Sequence, residues 1–149
     1  MISLLLFALQ VFSTTSVQGI AANEYPPECE CWGSMFCITK ESRKYLTQKV
    51  EEIMSPHGKK PVYVCYMESE SQWELLSPGY INEYGEDYVK LYKQKSFNRQ
   101  PKQPEIKTFL EEAIEEWKSN ITKIEDKKHF GCQVTPDVKG VRAVCLFTY

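Results

Sequence analysis

Residues 104–117 read PEIKTFLEEAIEEW and carry the clearest helical pattern in the sequence. Pro104 suits the first position of a helix, because its missing N–H would have no intrahelical partner there. Apolar side chains then recur at spacings of three and four, which places them on one face. They are Ile106, Phe109, Leu110, Ala113, Ile114 and Trp117. We predict that this face is part of the core.

A cluster of glutamates lies off that apolar stripe. Its members are Glu111, Glu112, Glu115 and Glu116. Paired carboxylates can in principle perform acid–base chemistry. The outward face of an amphipathic helix is the commoner origin of such a cluster. We therefore interpret these glutamates as a solvated face rather than a catalytic site.

The C-terminal residues 129–149 have the pattern of a β-hairpin. The two arms, HFGCQV at 129–134 and VRAVCLFTY at 141–149, are rich in β-forming residues and are separated by a proline- and glycine-containing turn. One cysteine lies in each arm, Cys132 in the first and Cys145 in the second. We predict a hairpin that brings both arms into one sheet.

The residues before the long helix predict three further elements. Thr39 is a suitable N-cap for a helix over 40–54, which Ser-Pro-His-Gly at 55–58 ends. Residues 61–66 are rich in β-formers and predict a strand. Residues 68–76 predict a short helix that ends at Ser-Pro-Gly.

A tyrosine-rich stretch follows these elements. Its tyrosines are spaced by four, at Tyr80, Tyr84, Tyr88 and Tyr92. They would lie in line on a helix, although Gly85 weakens that interpretation. We favour a packing face, with an exposed aromatic binding wall as the alternative. Residues 97–104 are polar and interrupted by proline, and they predict a surface loop.

The N-terminal residues 1–22 have the character of a signal peptide. The apolar run at 1–12 is too short to span a bilayer, and small residues follow at suitable positions for cleavage after about residue 19 to 22. We therefore predict a secreted, extracellular and soluble protein. No second apolar run is long enough for a membrane span.

The composition of the chain is that of a folded protein and does not favour a nucleic-acid-binding protein. The net charge of −2 and the 42% content of hydrophobic residues indicate one folded domain, and nothing indicates binding to nucleic acid. We divide the mature chain into a cysteine-rich N-terminal arm at 23–38 and a single domain at 39–149. The arm contains two prolines and three cysteines, so we expect crosslinks to hold its shape.

All the cysteines lie in the predicted mature chain. They are Cys29, Cys31, Cys37, Cys65, Cys132 and Cys145. An even number in an exported protein predicts three disulfides, and six cysteines allow fifteen pairings. The first three could instead bind zinc, but zinc requires thiolates, which an oxidising compartment disfavours. Asn120 begins the sequon Asn-Ile-Thr and is either a glycosylation site or an unused tripeptide.

The motifs of common catalytic sites are missing from the sequence. It contains no Gly-x-Ser-x-Gly, no His-Glu-x-x-His and no phosphate-binding glycine loop. His57 and His129 could meet in space to hold a metal, but isolated surface histidines are commoner. We predict no catalytic residue, no metal ligand and no cofactor.

The chain resembles the CAP superfamily (SCP/TAPS) of cysteine-rich secretory, venom antigen five and pathogenesis-related proteins. Residues 63–73, YVCYMESESQW, are similar to the family's Tyr-x-Cys-x-Leu-Glu-x-x-Ala-Gln-x-Trp segment, and residues 84–87 to its Gly-Glu-Asn motif. Residues 113–117 resemble the helix that carries the family's tryptophan, while 130–132 and 144–147 resemble its closing Gly-Cys and Val-Cys hairpin. The order of these short matches carries the resemblance, which points to shortened, diverged relatives similar to the activation-associated secreted proteins of parasitic nematodes.

The resemblance implies a fold and a disulfide pattern. It implies an α+β fold, an α-β-α sandwich with a small antiparallel sheet and a C-terminal β-hairpin, stapled by disulfides. It also implies that Cys132 pairs with Cys145 and that Cys65 pairs with one of the three cysteines of the arm. The remaining two arm cysteines would then pair with each other.

Family members bring two histidines and two glutamates together in a cleft that can bind a divalent metal. Only Glu86 matches this set, so the resemblance implies a vestigial cleft without metal. The first-helix histidine would fall near Gln48, and Asn120 stands where the second glutamate would be. The segment that carries the other histidine is deleted between Ile121 and Lys128.

Three functions are compatible with these residues. The first is a secreted, non-catalytic protein that binds an extracellular or host protein, or a small apolar ligand, with specificity in loops such as 77–104 and a possible immunomodulatory role. The second is a protease inhibitor of the netrin or metalloproteinase-inhibitor type, because Cys29-Glu30-Cys31 is similar to the start of those inhibitors. The third is a weak enzyme that uses Glu86 with a histidine. We favour the first.

Overall fold

The computed structural model describes residues 25–30, 37–83, 87–124 and 127–149. The helices are α1 Lys40–Met54, α2 Cys65–Leu76, α3 Tyr80–Glu83 and α4 Gln103–Lys123. The strands are β1 Val62–Tyr63, β2 Val89–Ser96, β3 His129–Asp137 and β4 Gly140–Thr148. The predicted signal peptide, Cys31 and Glu86 lie outside the described residues.

The described strands form one sheet in the order β1-β3-β4-β2. The predicted hairpin β3–β4 is confirmed and occupies the centre of this sheet. Strand β2 pairs antiparallel with β4 along its whole length, from Val89 opposite Phe147 to Ser96 opposite Gly140. Strand β1 pairs parallel with β3 through two residues only. The sheet is therefore mixed rather than purely antiparallel.

Both faces of the central hairpin are buried, because helices cover each of them. Successive side chains of a strand point to opposite faces. Cys145 and Phe147 belong to the core that α1 and α4 share with the sheet. Val144 and Leu146 alternate with them and belong to a second core that contains Met67 of α2. This arrangement confirms the predicted α-β-α sandwich.

The two long helices follow the sequence pattern closely. Helix α1 has the predicted bounds, and the Thr39 side chain accepts a hydrogen bond from the Ser42 backbone N–H at 3.2 Å, as an N-cap should. Helix α4 buries the whole predicted apolar face and extends it by one turn to Ile121. At its start, the Glu105 carboxylate accepts from the backbone N–H of Lys102 at 2.8 Å.

The tyrosine-rich stretch does not form one helix. Helix α3 ends at Glu83, and Val89–Ser96 is a strand that includes Tyr92. A spacing of four residues also fits the two-residue period of a strand, so the tyrosine pattern does not discriminate between helix and strand. Pairing with β4 along eight residues decides the outcome. Residues 89–96 of the expected binding-loop segment 77–104 are consequently an edge strand.

The strand predicted at 61–66 is also shorter than expected. It ends at Tyr63, and α2 begins at Cys65 rather than at residue 68. The Val64 backbone N–H still donates to the Phe130 carbonyl at 2.9 Å, but the Val64 carbonyl already accepts from Glu68 within the helix. The N–H of Val64 therefore still pairs with β3, while its carbonyl already accepts the first hydrogen bond of α2.

Helix α2 lies unusually close to the sheet at Gly131. A Cβ atom at this position would lie 2.3 Å from the backbone nitrogen of Glu68. Only glycine leaves room for such an approach of two backbones. The close contact fixes the position of α2 over the hairpin.

Candidate functional site

Helix α2 buries polar residues beside the apolar Met67 and Leu75 and exposes large apolar side chains on its other side. Its inner face contains Glu68, Ser71 and Glu74, whose exposed fractions are 5%, 0% and 4%. Its outer face carries large apolar side chains that are about half exposed: Tyr66 at 59%, Trp73 at 48% and Leu76 at 46%. A helix that only covers a core places apolar residues inside and polar residues outside. The exposed apolar side chains, together with the buried carboxylates, make α2 the candidate functional element.

Glu68 is fully paired within the protein. Its carboxylate accepts hydrogen bonds from Nε and Nη2 of Arg43 at 2.6 and 2.8 Å, and from the hydroxyl of Tyr63 at 2.5 Å. Hydrogen bonding to Glu68 raises the pKa of Arg43, so the guanidinium stays charged. Burial and the adjacent Glu68 charge raise the pKa of Tyr63 well above its ordinary value. The cluster is a buried ion pair with a neutral phenol.

Because strand β1 is short, it leaves the edge of β3 uncovered at Cys132, and the Tyr63 side chain occupies this position. Cys132 stands opposite Cys145 in the hairpin at a Cα separation of 4.1 Å, the close spacing of a non-hydrogen-bonded pair. The N–H and C=O of Cys132 therefore point away from β4, toward the edge that β1 no longer covers. The Tyr63 hydroxyl lies 3.4 Å from that nitrogen and 3.2 Å from that oxygen. Tyr63 thus links β3 to Glu68 of α2.

Glu74 and Ser71 are also satisfied on the inner face. The Glu74 carboxylate accepts from Lys90 Nζ at 2.7 Å and from the backbone N–H groups of Gly79 and Ile81 at 3.0 and 3.2 Å. Burial alone would raise the pKa of Glu74, but these hydrogen bonds outweigh burial and lower it. Ser71 donates to the Gly131 carbonyl at 3.0 Å.

The outer face forms an aromatic surface, in which Tyr66 and Trp73 are exposed and Tyr80 also packs against the second core. Tyr66 and Trp73 are seven residues apart and therefore nearly aligned along the helix, with Glu70 between them. The ring of Tyr80 in α3 lies against that of Trp73, with centroids 6.1 Å apart and planes tilted by 31°. We call Tyr66, Glu70, Trp73, Leu76 and Tyr80 the α2 outer face. Exposed aromatic clusters of this kind mark interaction sites more often than isolated apolar residues do.

A groove between α1 and α4 lies on the opposite side of the sheet. Two cavities of about 490 and 580 Å³ share Tyr45 and together run along both helices. The first is lined mainly by apolar groups, including Ile106 and Leu110. Glutamates and lysines surround the second, which also contains His57. The groove has the size of a site for a small ligand.

Two glutamates of α4 belong to an exposed, ion-paired surface. Glu112 pairs with Lys95 at 2.7 Å, and Glu116 pairs with Lys93, both from strand β2. These pairs join α4 to the edge of the sheet, so the structure supports the interpretation of a solvated face. Asn120 is exposed near the end of α4, in the position of a usable sequon.

The cysteines of the described residues are all in disulfides. Cys29 is joined to Cys65, which attaches the N-terminal arm to the start of α2, and Cys132 is joined to Cys145. Cys37 is also disulfide-bonded. Cys29 and Cys37 therefore do not provide thiolates for zinc.

The metal-binding set of the resemblance does not assemble among the described residues. Gln48 lies on the exposed side of α1 and donates to Glu52 at 3.0 Å, while Asn120 lies near the end of α4. His129 Nδ1 lies 2.9 Å from the Tyr149 carbonyl oxygen rather than beside a carboxylate. Across 25–30, 37–83, 87–124 and 127–149, no three histidine, cysteine or acidic residues are grouped as metal ligands. Glu86, the one residue that matches the family's set, lies outside the described residues.

Helices of the described residues include none that is long and apolar enough to cross a membrane.

The family described as Ancylostoma-associated secreted protein related matches residues 29–147. The chain belongs to this family. It is a relative of the nematode activation-associated secreted proteins of the CAP superfamily, as the sequence resemblance predicted. No curated protein matches the chain.

Solved structures show the same fold. The Ancylostoma-secreted protein Ac-ASP-7 is 16% identical, with a TM-score of 0.55 over 81% of this chain and 76% of its own. Manganese-bound Ac-ASP-7 also has a TM-score of 0.55, with 15% identity over 80% of this chain and 74% of its own. A hookworm platelet inhibitor is matched at 15% identity and a TM-score of 0.44, over 81% of this chain and 74% of its own. At these identities the likeness to Ac-ASP-7 establishes the fold alone.

Proposed function

We propose that this family member is a secreted, non-catalytic protein that binds an extracellular protein of a host and thereby modulates the host response. Residues 1–22 would be its signal peptide, 23–38 its crosslinked arm and 39–149 its CAP-like domain. The α2 outer face carries the proposal, because it groups the exposed apolar side chains of Tyr66, Trp73 and Leu76 on one helix.

The disulfides and the family support the proposed location. Cys29–Cys65 and Cys132–Cys145 are bonds of the kind that persist in oxidising, extracellular compartments. The description of the family also names its members as related to secreted proteins. Exposed Asn120 would carry an N-linked glycan on such a protein.

We propose that the protein is not catalytic because the side chains that could perform acid–base chemistry already have partners within the protein. The buried carboxylates Glu68 and Glu74 are each occupied by cationic and hydrogen-bonding partners within the protein. Neither is left to abstract or deliver a proton to a substrate. His129, the histidine at the start of β3, is engaged with the C-terminal backbone.

Capture from blood plasma tests the proposal. The mature glycoprotein is immobilised, exposed to plasma and washed, and retained proteins are identified by mass spectrometry. We expect one discrete partner that Trp73→Ala fails to retain, while Val138→Ala, at an exposed position of the β3–β4 turn, retains it fully. Equal retention by all three proteins, or no retention by the wild type, would count against the proposal.

A small apolar ligand is the second candidate, and the groove between α1 and α4 favours it. Ile106 and Leu110 provide an apolar lining beside Tyr45. Extraction of the purified protein followed by lipid mass spectrometry tests this function. A stoichiometric apolar compound that Tyr45→Lys, at a partly buried position of the groove, excludes would support it, and an empty extract after incubation with plasma lipids would dismiss it.

The netrin-type inhibitor is not supported by the fold. That alternative requires a β-barrel, whereas the described residues form a four-stranded open sheet between helices. Cys29 pairs with Cys65 at the start of α2 rather than with a strand of a barrel.

A further inference from the structure

We propose that strand β2 is the surface at which two copies of this chain associate, by pairing antiparallel so that their two sheets become one. This goes beyond the proposed function, which concerns the α2 outer face. Three features of β2 support the pairing: its free backbone groups, the way its lysines are held, and a register that keeps the lysines of the two copies apart.

The backbone of β2 alternates between groups that pair with β4 and groups that face outward. In an antiparallel sheet, hydrogen-bonded and non-hydrogen-bonded residue pairs alternate along the strands. Cys145 is in a non-hydrogen-bonded pair with β3, so its N–H and C=O point to β2 and pair with Leu91, the residue opposite. Every second residue of β2 therefore directs its N–H and C=O away from the sheet. These residues are Lys90, Tyr92, Gln94 and Ser96.

This outer edge lacks the backbone features that usually prevent strand pairing. Edge strands are commonly protected by proline, a bulge, a short length, or a loop or helix that covers them. Strand β2 extends over eight residues, contains no proline and pairs with β4 at every position without a bulge. Within residues 25–30, 37–83, 87–124 and 127–149, no backbone group pairs with its outward groups. The edge can therefore accept another strand.

The lysines of β2 do not make the edge strongly positive. Lysine is another common protection of an edge strand, and β2 contains three. Each of them forms an ion pair with a carboxylate of its own chain. The pairs are Lys90 with Glu74 and Lys95 with Glu112, both at 2.7 Å, and Lys93 with Glu116. Because each positive charge has a negative charge beside it, the edge does not strongly repel an identical edge.

The remaining repulsion selects the register, because like charges directly opposite each other destabilise a strand pair. When the two-fold axis passes through Tyr92, the pairing covers Val89–Lys95 and no lysine faces a lysine. The opposite residues of the two copies are then Val89 and Lys95, Lys90 and Gln94, Leu91 and Lys93, and Tyr92 and Tyr92. This register uses nearly the whole strand.

Other registers are less favourable. An axis at Lys93 would place this residue opposite its own copy, and an axis at Gln94 would place it opposite Lys95. An axis at Leu91 avoids lysine pairs but shortens the overlap to residues 89–93. The axis at Tyr92 thus combines the longest overlap with the separation of the lysines.

Tyr92 is the centre of the proposed contact. Its outward N–H and C=O would exchange two hydrogen bonds with those of Tyr92 in the second copy, and Lys90 and Gln94 would do the same on either side. The ring of Tyr92 is 43% exposed, so the two rings would lie side by side across the strands. Aromatic cross-strand pairs of this kind stabilise an antiparallel sheet.

Sedimentation velocity of the mature protein tests the inference over a concentration series up to about 1 mM. We expect the average mass to rise from that of a monomer toward that of a dimer. Tyr92→Pro removes the outward N–H but no bond to β4, so the fold should tolerate it and association should weaken about 10- to 100-fold. Tyr92→Thr keeps the N–H and should weaken association at most about fivefold.

A second variant tests the register without changing the backbone. Tyr92→Lys places two lysines opposite each other at the axis, so it should associate about two- to fivefold more weakly than Tyr92→Thr. Added salt should reduce this difference, because it screens the repulsion. Circular dichroism verifies that each variant is folded.

The measurement is made with and without enzymatic removal of N-linked glycan. Asn120 follows Glu116 by one helical turn and therefore lies toward the side of α4 that faces β2. A glycan there would stand beside the edge and hinder a second copy. Association in either sample that Tyr92→Pro weakens and Tyr92→Thr largely retains supports the inference.

Four outcomes would overturn the inference. The first is a wild type that stays monomeric in both samples, and the second is equal association of Tyr92→Pro and Tyr92→Thr. The third is self-association that Trp73→Ala removes and Tyr92→Pro retains, which would place the second copy on the α2 outer face. The fourth is a monomeric wild type whose capture of the plasma partner Tyr92→Pro abolishes, which would show that the edge binds an extended segment of that partner.

Discussion

Glu68→Gln should strongly destabilise the protein, because it leaves the Arg43 guanidinium buried without a counter-ion. The carboxylate accepts two hydrogen bonds from Arg43 and one from Tyr63, all at 2.8 Å or less. Breaking a buried ion pair by changing one partner costs about 3–5 kcal/mol. This cost is a large part of the stability of an ordinary domain, which is about 5–15 kcal/mol.

Urea unfolding monitored by far-UV circular dichroism measures the effect. With a slope of about 2 kcal/mol per molar urea, the midpoint should fall by about 2 M while the slope stays unchanged. Glu115→Gln, at an exposed position of α4, should change stability by less than about 0.5 kcal/mol. The double variant Arg43→Met with Glu68→Leu removes both charges and should recover most of the loss.

A small effect would refute this reasoning. If Glu68→Gln lowers stability by less than about 1 kcal/mol, the ion pair is not held in the buried geometry that positions α2. If the double variant is no more stable than Glu68→Gln alone, the penalty does not come from the unpaired guanidinium.

Four other outcomes follow from the structure. Gly131→Ala should cost about 3 kcal/mol in urea unfolding, because its Cβ would overlap the backbone of α2, whereas Gly58→Ala, where no atom lies within 4 Å, should lose only the smaller cost of its left-handed backbone. Removing the Cys132–Cys145 disulfide by paired serine substitutions should cost about 3 kcal/mol for a loop of this length, and an unchanged midpoint would contradict its role as a staple. Because the folded pKa of Glu74 is lowered, its stabilising contribution is complete above the ordinary value of 4.5 and falls as the pH drops toward the folded value. Wild-type stability should therefore decline more steeply than that of Glu74→Gln below pH 4.5, and parallel declines would be evidence against this pairing. Asn120→Gln should lower the mass of the protein secreted from animal cells by one glycan, and an unchanged mass would show that the sequon is not used.

Much of the fold could be predicted because its decisive signals are local. The Thr39 cap fixed the start of α1 to the residue, and the three-and-four spacing of apolar side chains identified α4. The hairpin was also predictable, because its two arms and its turn are consecutive in sequence. Strand β2 was not, because the four-residue spacing of tyrosines fits both periods and its partner β4 lies about fifty residues later.

The candidate site was harder to predict because its signal depends on contacts far apart in sequence. No local pattern shows that Glu68 and Glu74 face inward. Their hydrogen bonds with Arg43, Tyr63 and Lys90 show it. Once both glutamates are inside, the outer position of Trp73 follows from helical geometry.

Hydrogen–deuterium exchange of the protein with its captured plasma partner tests the central claim most directly. The account predicts that the partner slows exchange in residues 65–80, which include α2 and Tyr80, and leaves the α1–α4 groove unchanged. Protection confined to α1 and α4, with α2 exchanging as in the free protein, would contradict it.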